Sequence, residues 1–314
     1  MNTPRSSPAK ASGKLILLGE HAVVYGCPAI AAGIELGATA TACVADAASI
    51  QLSVPVPTDR QRDLDCAFAN LLAQLESGPM QVSATTELPP GLGLGASAAL
   101  GVAVARAVVA ANAVAGSDPT AHDPNAQRHR VMKAAQAWET VFHGRPSGID
   151  VAAATLGGCF QYTPESGPKP LRIRAPLSIA VGFAGPAVST KTMVDAVAQL
   201  RHNKPELVNR SIAAIRSLVD NARLALEAGD LPTLGRLLDL NQMILAGLFL
   251  STEQIERACA IARTAGALGA KLTGKGGGGC VIALCASSPE AILDAWQKDG
   301  INGFSTEIRA DAID

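Results

Sequence analysis

The sequence predicts an α+β protein built from two domains. The chain has 314 residues, which is long for one compact core and typical of two. Hydrophobic residues make up 48% of it and charged residues 17%, so a buried core forms readily. Proline and charged residues are concentrated in the segment 164–176. We therefore predict a boundary at its end, between a first domain of residues 1–176 and a second domain of residues 177–314.

The first domain is predicted to contain both strands and helices. Short apolar or alternating segments are typical of strands, and we predict these at 14–18, 38–45, 49–54 and 80–88. Longer segments with helical periodicity predict helices at 64–77, 96–116, 126–144 and, in short form, 151–158. The stretch 20–34 is apolar but irregular, and we interpret it as a loop.

The second domain is predicted to be richer in helices. An apolar segment predicts a strand at 177–184, and amphipathic segments predict helices at 192–200, 206–228, 231–247 and 252–266. Near the end of the chain, strands at 279–285 and 304–310 flank a helix at 289–300.

Charge and cysteine content limit the class of protein. The formal net charge is −1, which disfavours binding to nucleic acid or a membrane surface through bulk charge. The seven cysteines are scattered without a C-x-x-C pair, so we expect them to be reduced and mostly buried, and a zinc site is disfavoured. The N-terminus lacks the apolar stretch of a secretory signal, and no uninterrupted apolar run approaches about 20 residues. We expect a soluble, cytoplasmic protein.

Three glycines alternate in the segment 91–97, between the strand predicted at 80–88 and the helix predicted at 96–116. This order is typical of phosphate binding, because glycines let backbone N–H groups approach an anion and the helix N-terminus adds positive charge. Ser97 lies at the helix start, where its hydroxyl serves either as a helix cap or as a ligand of Mg²⁺. The segment also fits the dinucleotide fingerprint, but residues 98–116 contain no acid to hold a ribose, which disfavours that class.

A second glycine-rich segment, 269–280, nearly matches the P-loop pattern G-x-x-x-x-G-K-[ST]. Gly276 stands where a P-loop needs a hydroxyl, and an apolar strand follows instead of a helix, so a P-loop NTPase is disfavoured. The consecutive glycines form either a flexible turn or a close approach of the backbone to a ligand, and we favour the second. A third segment, 11–21, carries Lys14 and the pair formed by Glu20 and His21.

These three sites together resemble a known enzyme family. In chain order, the segments 12–21, 89–99 and 271–279 read SGKLILLGEH, PPGLGLGASAA and KLTGKGGGG. They resemble the three ordered motifs of the GHMP small-molecule kinases. The segment 139–150, ETVFHGRPSGID, resembles the members of that family that phosphorylate mevalonate. The likeness touches both halves of the chain, and three motifs in the right order are specific.

The chain departs from the family pattern at three motif positions. Ser12 stands where the family often has Pro, Ala96 replaces the first of two loop serines, and Lys275 replaces Ala in the third motif. The stretch 43–80 also looks shorter than in animal members that act on mevalonate. We expect this shortening to alter regulation or dimer contacts and not the chemistry.

The resemblance implies both a fold and a reaction. The expected fold has an N-terminal α/β domain like that of a ribosomal protein and a C-terminal ferredoxin-like domain, with the active site in the cleft between them. The expected reaction is ATP-dependent phosphorylation of the C5 hydroxyl of mevalonate, in the route to isoprenoids, with Mg²⁺ as cofactor. ATP and mevalonate are the implied ligands. Feedback inhibition by prenyl diphosphates and a homodimer are left open.

The resemblance also implies a role for individual residues. Asp150 is the catalytic base and Lys14 the charge stabiliser, although Asp150 also fits a plain helix cap. Mg²⁺ is held by Ser97 and Glu139. The residues that wrap the ATP phosphates are Gly91, Leu92, Gly93, Leu94, Gly95, Ala96 and Ser97. The residues that border the substrate are Glu20, His21, Asp150, Thr190, Gly276 and Gly277.

Two other functions remain as alternatives. One is phosphomevalonate kinase in the same family, whose first motif usually reads G-E-Y, whereas this chain has Glu20 and His21. The other is a non-catalytic relative that only binds a ligand. Such a protein is expected to have lost Lys14, Asp150 or the Mg²⁺ ligands, and all of them are present here.

Overall fold

A computed structural model describes residues 5–53, 58–118, 120, 122–144, 146–186 and 188–309. Its strands are β1 (Ala9–Leu18), β2 (Ala29–Val44), β3 (Ser49–Leu52), β4 (Met80–Thr86), β5 (Cys159–Thr163), β6 (Gly167–Pro170), β7 (Leu177–Phe183), β8 (Ala267–Thr273), β9 (Cys280–Cys285) and β10 (Gly303–Ile308). Its helices are α1 (Thr58–Gln74), α2 (Ala96–Val114), α3 (Pro124–His143), α4 (Ile149–Leu156), α5 (Thr190–Asn203), α6 (Pro205–Ala228), α7 (Leu231–Gly247), α8 (Glu253–Thr264) and α9 (Glu290–Lys298).

The chain divides into two compact units, and each is built from several separate segments. Unit 1 consists of Met1–Gly13, Leu36–Pro90 and Gly95–Gly157. Unit 2 consists of Lys14–Glu35, Gly91–Leu94 and Gly158–Asp314. Strands β1 and β2 contribute residues to both units. The sequence-based domain boundary at residue 176 stays a prediction.

Unit 1 packs its helices on a small sheet. The second half of β2 pairs with β4 in antiparallel register, from Ala38 opposite Thr86 to Val44 opposite Met80, and β3 runs parallel to β4. Residues of β4 alternate between buried and more exposed, which is the pattern of a strand with one face on a core. Helix α2 packs against β4, α3 and α4, and α1 packs against α3. The helices that carry the predicted metal ligands and Asp150 therefore touch one another.

Helix α2 is the central helix of unit 1. Among the described residues it is the one helix long and apolar enough to cross a membrane. Its apolar character comes mostly from alanine and valine, and Arg106 and Asn112 interrupt it. Of its most apolar 18-residue stretch, 67% is buried inside the protein. Burial in the core of unit 1 therefore explains why the helix is so apolar. Its small side chains let the neighbouring helices approach closely.

Unit 2 contains a four-stranded antiparallel sheet in the order β10-β7-β9-β8. Helices α5 to α8 connect β7 to β8, and α9 connects β9 to β10. The order of these strands in the chain and in the sheet is that of a ferredoxin-like domain, which confirms this part of the predicted fold. Helices α7 and α8 pack on β8, and α9 packs on β7 and β10. The first half of β2 pairs with β5, and β5 pairs with β6.

Most predicted elements are present, and two of the missed strand segments have a common cause. The helices predicted at 206–228 and 231–247 are confirmed as α6 and α7. The loop predicted at 20–34 is wrong, because its second half is the start of β2. Residues 29–34 are fully enclosed on both faces, so they lack the polar alternation by which a strand is recognised. Strand β8 has no counterpart among the predicted strands for the same reason.

Some predicted boundaries differ from the observed ones. Helix α1 begins at Thr58 and not at residue 64, since its first turns are polar and lack an apolar periodicity. Residue 54 of the strand predicted at 49–54 and residue 310 of the strand predicted at 304–310 lie outside the described residues.

Candidate active site

The glycine loop between β4 and α2 has an alternating backbone. Gly91, Gly93 and Gly95 have φ values of 78°, 84° and 77°, in the left-handed region that favours glycine. Alternation of this kind turns successive N–H groups towards one side and forms a concavity that binds anions. Helix α2 begins directly after the loop, so its N-terminus adds partial positive charge. The backbone is suited to hold phosphate groups.

Ser97 and Glu139 meet in unit 1. The N-cap residue of α2 is Gly95 and no side chain caps the helix, so the interpretation of Ser97 as a cap is wrong. Its hydroxyl instead donates to Glu139 Oε1 at 2.5 Å, although 42 residues separate the two in sequence. Glu139 is only 2% exposed. His143 Nε2 lies 3.6 Å from Glu139 Oε2, as expected for residues four positions apart on one helix.

This pair fits the requirements of Mg²⁺. The ion is small, prefers oxygen ligands and usually keeps several ligand positions for water and substrate phosphates, so one or two protein groups suffice. A buried carboxylate and a hydroxyl whose oxygens lie 2.5 Å apart provide such a set. The two side chains lie where the phosphate loop ends and α2 begins.

Asp150 lies in the first turn of α4. The N-cap residue is Gly148, with φ 86°, and no side chain caps the helix. The interpretation of Asp150 as a helix cap is therefore wrong. The carboxylate lies at the positive end of the helix dipole. Because α4 packs on α2 and α3, Asp150 belongs to the same group of helices as Ser97 and Glu139.

Lys14 lies in unit 2 and is nearly buried, with 6% of its surface exposed. Its backbone N–H donates to Leu94 O at 2.9 Å, which ties β1 to the phosphate loop. Its ammonium group lies beside Gly274, since a Cβ built at that glycine would be 3.8 Å from Lys14 Nζ and 3.6 Å from Gly93 O. Parts of all three motifs therefore meet at one place in unit 2.

Glu20 forms a buried ion pair with Lys271. Both side chains are almost inaccessible, and Lys271 Nζ donates to Glu20 Oε1 and to Leu272 O. Asn241 Nδ2 donates to the second carboxylate oxygen at 3.2 Å. Burial lowers the pKa of Lys271, and the Glu20 carboxylate opposes that shift. Both oxygens of Glu20 are thus hydrogen-bonded within the protein. A carboxylate in such surroundings is suited to position neighbouring residues.

His21 has an unusual backbone and a fixed ring. Its φ of 59° lies in the left-handed region, where few residues other than glycine are found. Its Nε2 lies 2.8 Å from Lys275 O, and because a carbonyl only accepts, Nε2 carries the hydrogen. Burial lowers the pKa of His21, so the ring is neutral near neutral pH. The remaining ring nitrogen, Nδ1, is then an acceptor.

The third glycine segment forms a cradle of backbone. Gly274 and Gly276–Gly279 all have positive φ. Gly277 N donates to Leu250 O at 2.8 Å, and Gly277 O accepts from Val188 N at 3.2 Å. A Cβ at Gly276 would lie 2.4 Å from Leu250 O. The sequence suggested that this backbone comes close to a ligand. At Gly276 it comes close to the protein's own backbone instead.

Thr190 is the first residue of α5 and is exposed, with Ser189 as the N-cap. Its helix follows the segment whose Val188 bonds the glycine cradle.

Several residues of unit 2 were missed by sequence reasoning. Lys271 and Asn241, which engage Glu20, were given no role, and neither was Thr273, whose hydroxyl bonds both the N–H and the C=O of Ile16 at 3.0 Å. A lysine and a threonine within the apolar segment ALGAKLT were the available signal, since a charged group in a buried strand needs a partner. The identity of that partner was not readable from the sequence.

Comparison with family profiles matches both halves of the chain. The profile described as GHMP kinases N terminal domain matches residues 62–158, and that described as GHMP kinases C terminal matches residues 222–302. The chain is 34% identical over 316 aligned positions to a mevalonate kinase of Pyrococcus horikoshii, covering 91% of each chain.

Solved structures give the same result. The crystal structure of L. major mevalonate kinase in complex with R-mevalonate superposes with a TM-score of 0.86 at 29% identity, covering 98% of this chain and 97% of that one. Streptococcus pneumoniae phosphomevalonate kinase superposes with a TM-score of 0.72 at 18% identity, covering 97% of this chain and all of that one. The second likeness extends to the fold alone.

Proposed function

The chain belongs to the GHMP kinase family, and from that premise we propose that it transfers the γ-phosphoryl group of ATP to the C5 hydroxyl of mevalonate. The observation that carries phosphoryl transfer is the pairing of Ser97 with Glu139 directly after the alternating glycine loop. Phosphoryl transfer needs chiefly positioning and neutralisation of charge, and this arrangement supplies both.

The nucleotide would be held by the second motif together with Glu139. Backbone N–H groups of Gly91 to Ser97 would surround the phosphates, and the N-terminus of α2 would add favourable charge. Ser97 and Glu139 would hold Mg²⁺ through oxygen. The ion would neutralise charge on the phosphates during transfer.

Asp150 and Lys14 would carry out the transfer. Asp150, at the N-terminus of α4, would accept the proton of the attacking hydroxyl. The ammonium of Lys14, next to Gly274, would stabilise charge on the transferring group. We propose these roles by matching each residue to its motif in the family.

Mevalonate is the proposed acceptor because of the relatives. The Pyrococcus horikoshii protein is a mevalonate kinase, and the L. major enzyme is named with R-mevalonate bound. Within this chain, Nδ1 of neutral His21 would accept a hydrogen bond from a substrate hydroxyl group. Thr190 and Gly277 would border the acceptor. Glu20 would act by positioning His21, because both of its oxygens are engaged by Lys271 and Asn241.

A coupled assay of ADP release tests the function. The purified protein is given ATP, Mg²⁺ and, in turn, mevalonate, phosphomevalonate, galactose or homoserine. We expect turnover with mevalonate alone. Turnover of phosphomevalonate without turnover of mevalonate would assign the chain to the other branch of the family, and ATP binding without any turnover would favour a ligand-binding relative.

The role of Asp150 has its own test. Asp150→Asn should lower kcat by about 1,000-fold while the Kd for ATP stays the same, since a general base contributes to transfer and not to nucleotide binding. Normal turnover of this variant would refute the assignment.

Three further properties belong to the same proposal. We propose a cytoplasmic location, a homodimer and competition between prenyl diphosphates and ATP. Sedimentation of the full chain tests the dimer. Inhibition by farnesyl diphosphate that is overcome by raising the ATP concentration would support the competition, and inhibition independent of ATP would contradict it.

A further inference from the structure

Lys275 is one of the three motif positions at which this chain departs from the family pattern. It stands in the third motif where the family pattern has alanine, in a turn between Gly274 and Gly276. The side chain is half-buried, and its Nζ donates to Gly91 O at 3.2 Å across 184 positions of sequence. Both residues belong to unit 2. A lysine side chain of the third motif therefore reaches the first glycine of the phosphate loop.

This contact fixes the orientation of one peptide group. The peptide unit is planar and trans, so its C=O and N–H point in opposite directions. When Lys275 holds the carbonyl of Gly91, the N–H of Leu92 is directed away from the ammonium group. Because glycine has the greatest backbone freedom, a bond to Gly91 removes more conformational freedom than a bond to another residue would.

Lys275 also brings positive charge close to Lys14. Its backbone is fixed by the bond from His21 Nε2 to Lys275 O, at 2.8 Å. Burial lowers the pKa of Lys275, and the positive charge of Lys14 lowers it further. Lys14 Nζ lies beside the neighbouring Gly274. Lys271, the third lysine of this region, is paired with Glu20. Two ammonium groups therefore lie next to one phosphate-type loop. A polyanion bound at this loop would be attracted to both of them.

We infer that Lys275 is a second cation for the phosphates of the bound nucleotide and that it holds the phosphate loop in its binding shape. A phosphate loop of this kind has no lysine within it, as the segment 91–97 shows. Lys275 supplies that charge from the third motif. The inference rests on the proposed function only in taking ATP as the nucleotide.

The test is a series of nucleotide affinities. Isothermal titration gives Kd for ATP, ADP, AMP and adenosine, each with Mg²⁺, for the wild type and for Lys275→Ala, which restores the family residue. We expect the affinity for ATP to fall about tenfold, which is about 1.4 kcal/mol, with a smaller fall for ADP and none for adenosine. The control is Lys298→Ala, an exposed lysine in the last turn of α9, which should leave every Kd unchanged.

A second variant separates charge from orientation. Lys275→Gln keeps a hydrogen-bond donor for Gly91 O without the charge, and we expect it to weaken the dependence of ATP affinity on salt while keeping part of the affinity. A uniform loss across all four ligands, or no loss for ATP in a variant with wild-type melting temperature, overturns the inference. Wild-type protein that binds ATP but does not phosphorylate mevalonate overturns the proposed function instead, and the nucleotide series still decides the role of Lys275.

Discussion

Glu20 and Glu139 are both almost completely buried, at 1% and 2% exposure, but their surroundings differ in kind. Glu20 is held by the ammonium of Lys271 and the amide of Asn241, each from an element of unit 2. Glu139 receives the hydroxyl of Ser97 on one oxygen and has the imidazole of His143 near the other. One carboxylate is matched by a lysine, the other by a small hydroxyl that is itself a ligand type for Mg²⁺.

The difference teaches how burial alone fails to identify a functional carboxylate. A buried carboxylate matched by a buried cation is costly to disturb and serves to hold strands in place. A buried carboxylate beside a hydroxyl, at a helix start that follows a phosphate loop, is arranged to receive a further cation together with phosphates. The comparison predicts that substitutions at the two sites affect different quantities, stability in one case and catalysis in the other.

The largest expected effect is on the ion pair. Lys271→Met leaves the Glu20 carboxylate buried without its cation and should lower the free energy of unfolding by about 3 to 5 kcal/mol. Urea denaturation followed by circular dichroism measures this loss. The double variant Glu20→Met, Lys271→Met removes both charges and should recover more than half of it. A double variant as unstable as the single one would contradict this account of the pair.

The next effect is on the metal ligand. Glu139→Gln should lower kcat by about 100-fold, or about 2.7 kcal/mol in the barrier, and raise the Mg²⁺ concentration needed for half-maximal activity. The melting temperature should change by less than about 3 °C. An unchanged Mg²⁺ dependence would show that Glu139 does not bind the ion.

Ser97 should give a smaller effect of the same kind. Ser97→Ala removes the hydroxyl that contacts Glu139 and should lower kcat by about tenfold with a rise in the Mg²⁺ requirement. A matched control is Ser217→Ala, which removes an exposed hydroxyl on α6 bonded only to its own helix in the contacts described. If the two variants have equal kcat, Ser97 has no part in metal binding.

The smallest effect concerns the thiols. Cys66 is exposed, and the other six cysteines are buried. Burial raises the pKa of Cys159, Cys259 and Cys280 to about 12, so they carry almost no thiolate at neutral pH. A disulfide reagent should therefore label one thiol per folded chain and seven after denaturation. Fast labelling of several thiols in the folded protein would contradict the packing of unit 2, where most of the buried cysteines lie.

Elements that depend on local features of the sequence were predicted well, and elements that depend on distant parts of the chain were predicted poorly. Helices α6 and α7 were predicted closely, because their apolar periodicity and their termini are local features. The start of β2 and all of β8 were missed, since a strand enclosed on both faces shows no alternation. At the site, Ser97 and Asp150 were correctly placed at helix starts, but whether each one caps its helix needed the backbone conformation of Gly95 and Gly148.

The sequence by itself determined the family, the order of the three motifs and the glycines whose left-handed conformations form the two loops. These are properties of local residue type. Glycine can adopt left-handed conformations because it lacks a side chain, whatever the rest of the chain does. Only the tertiary structure decided which charges meet. Lys271 pairs with Glu20 across 251 positions of sequence, and Lys275 reaches Gly91 across 184. The partner of a buried charge is set by the pairing of strands and the packing of loops, and for that reason the role of these two lysines became visible only in the folded chain.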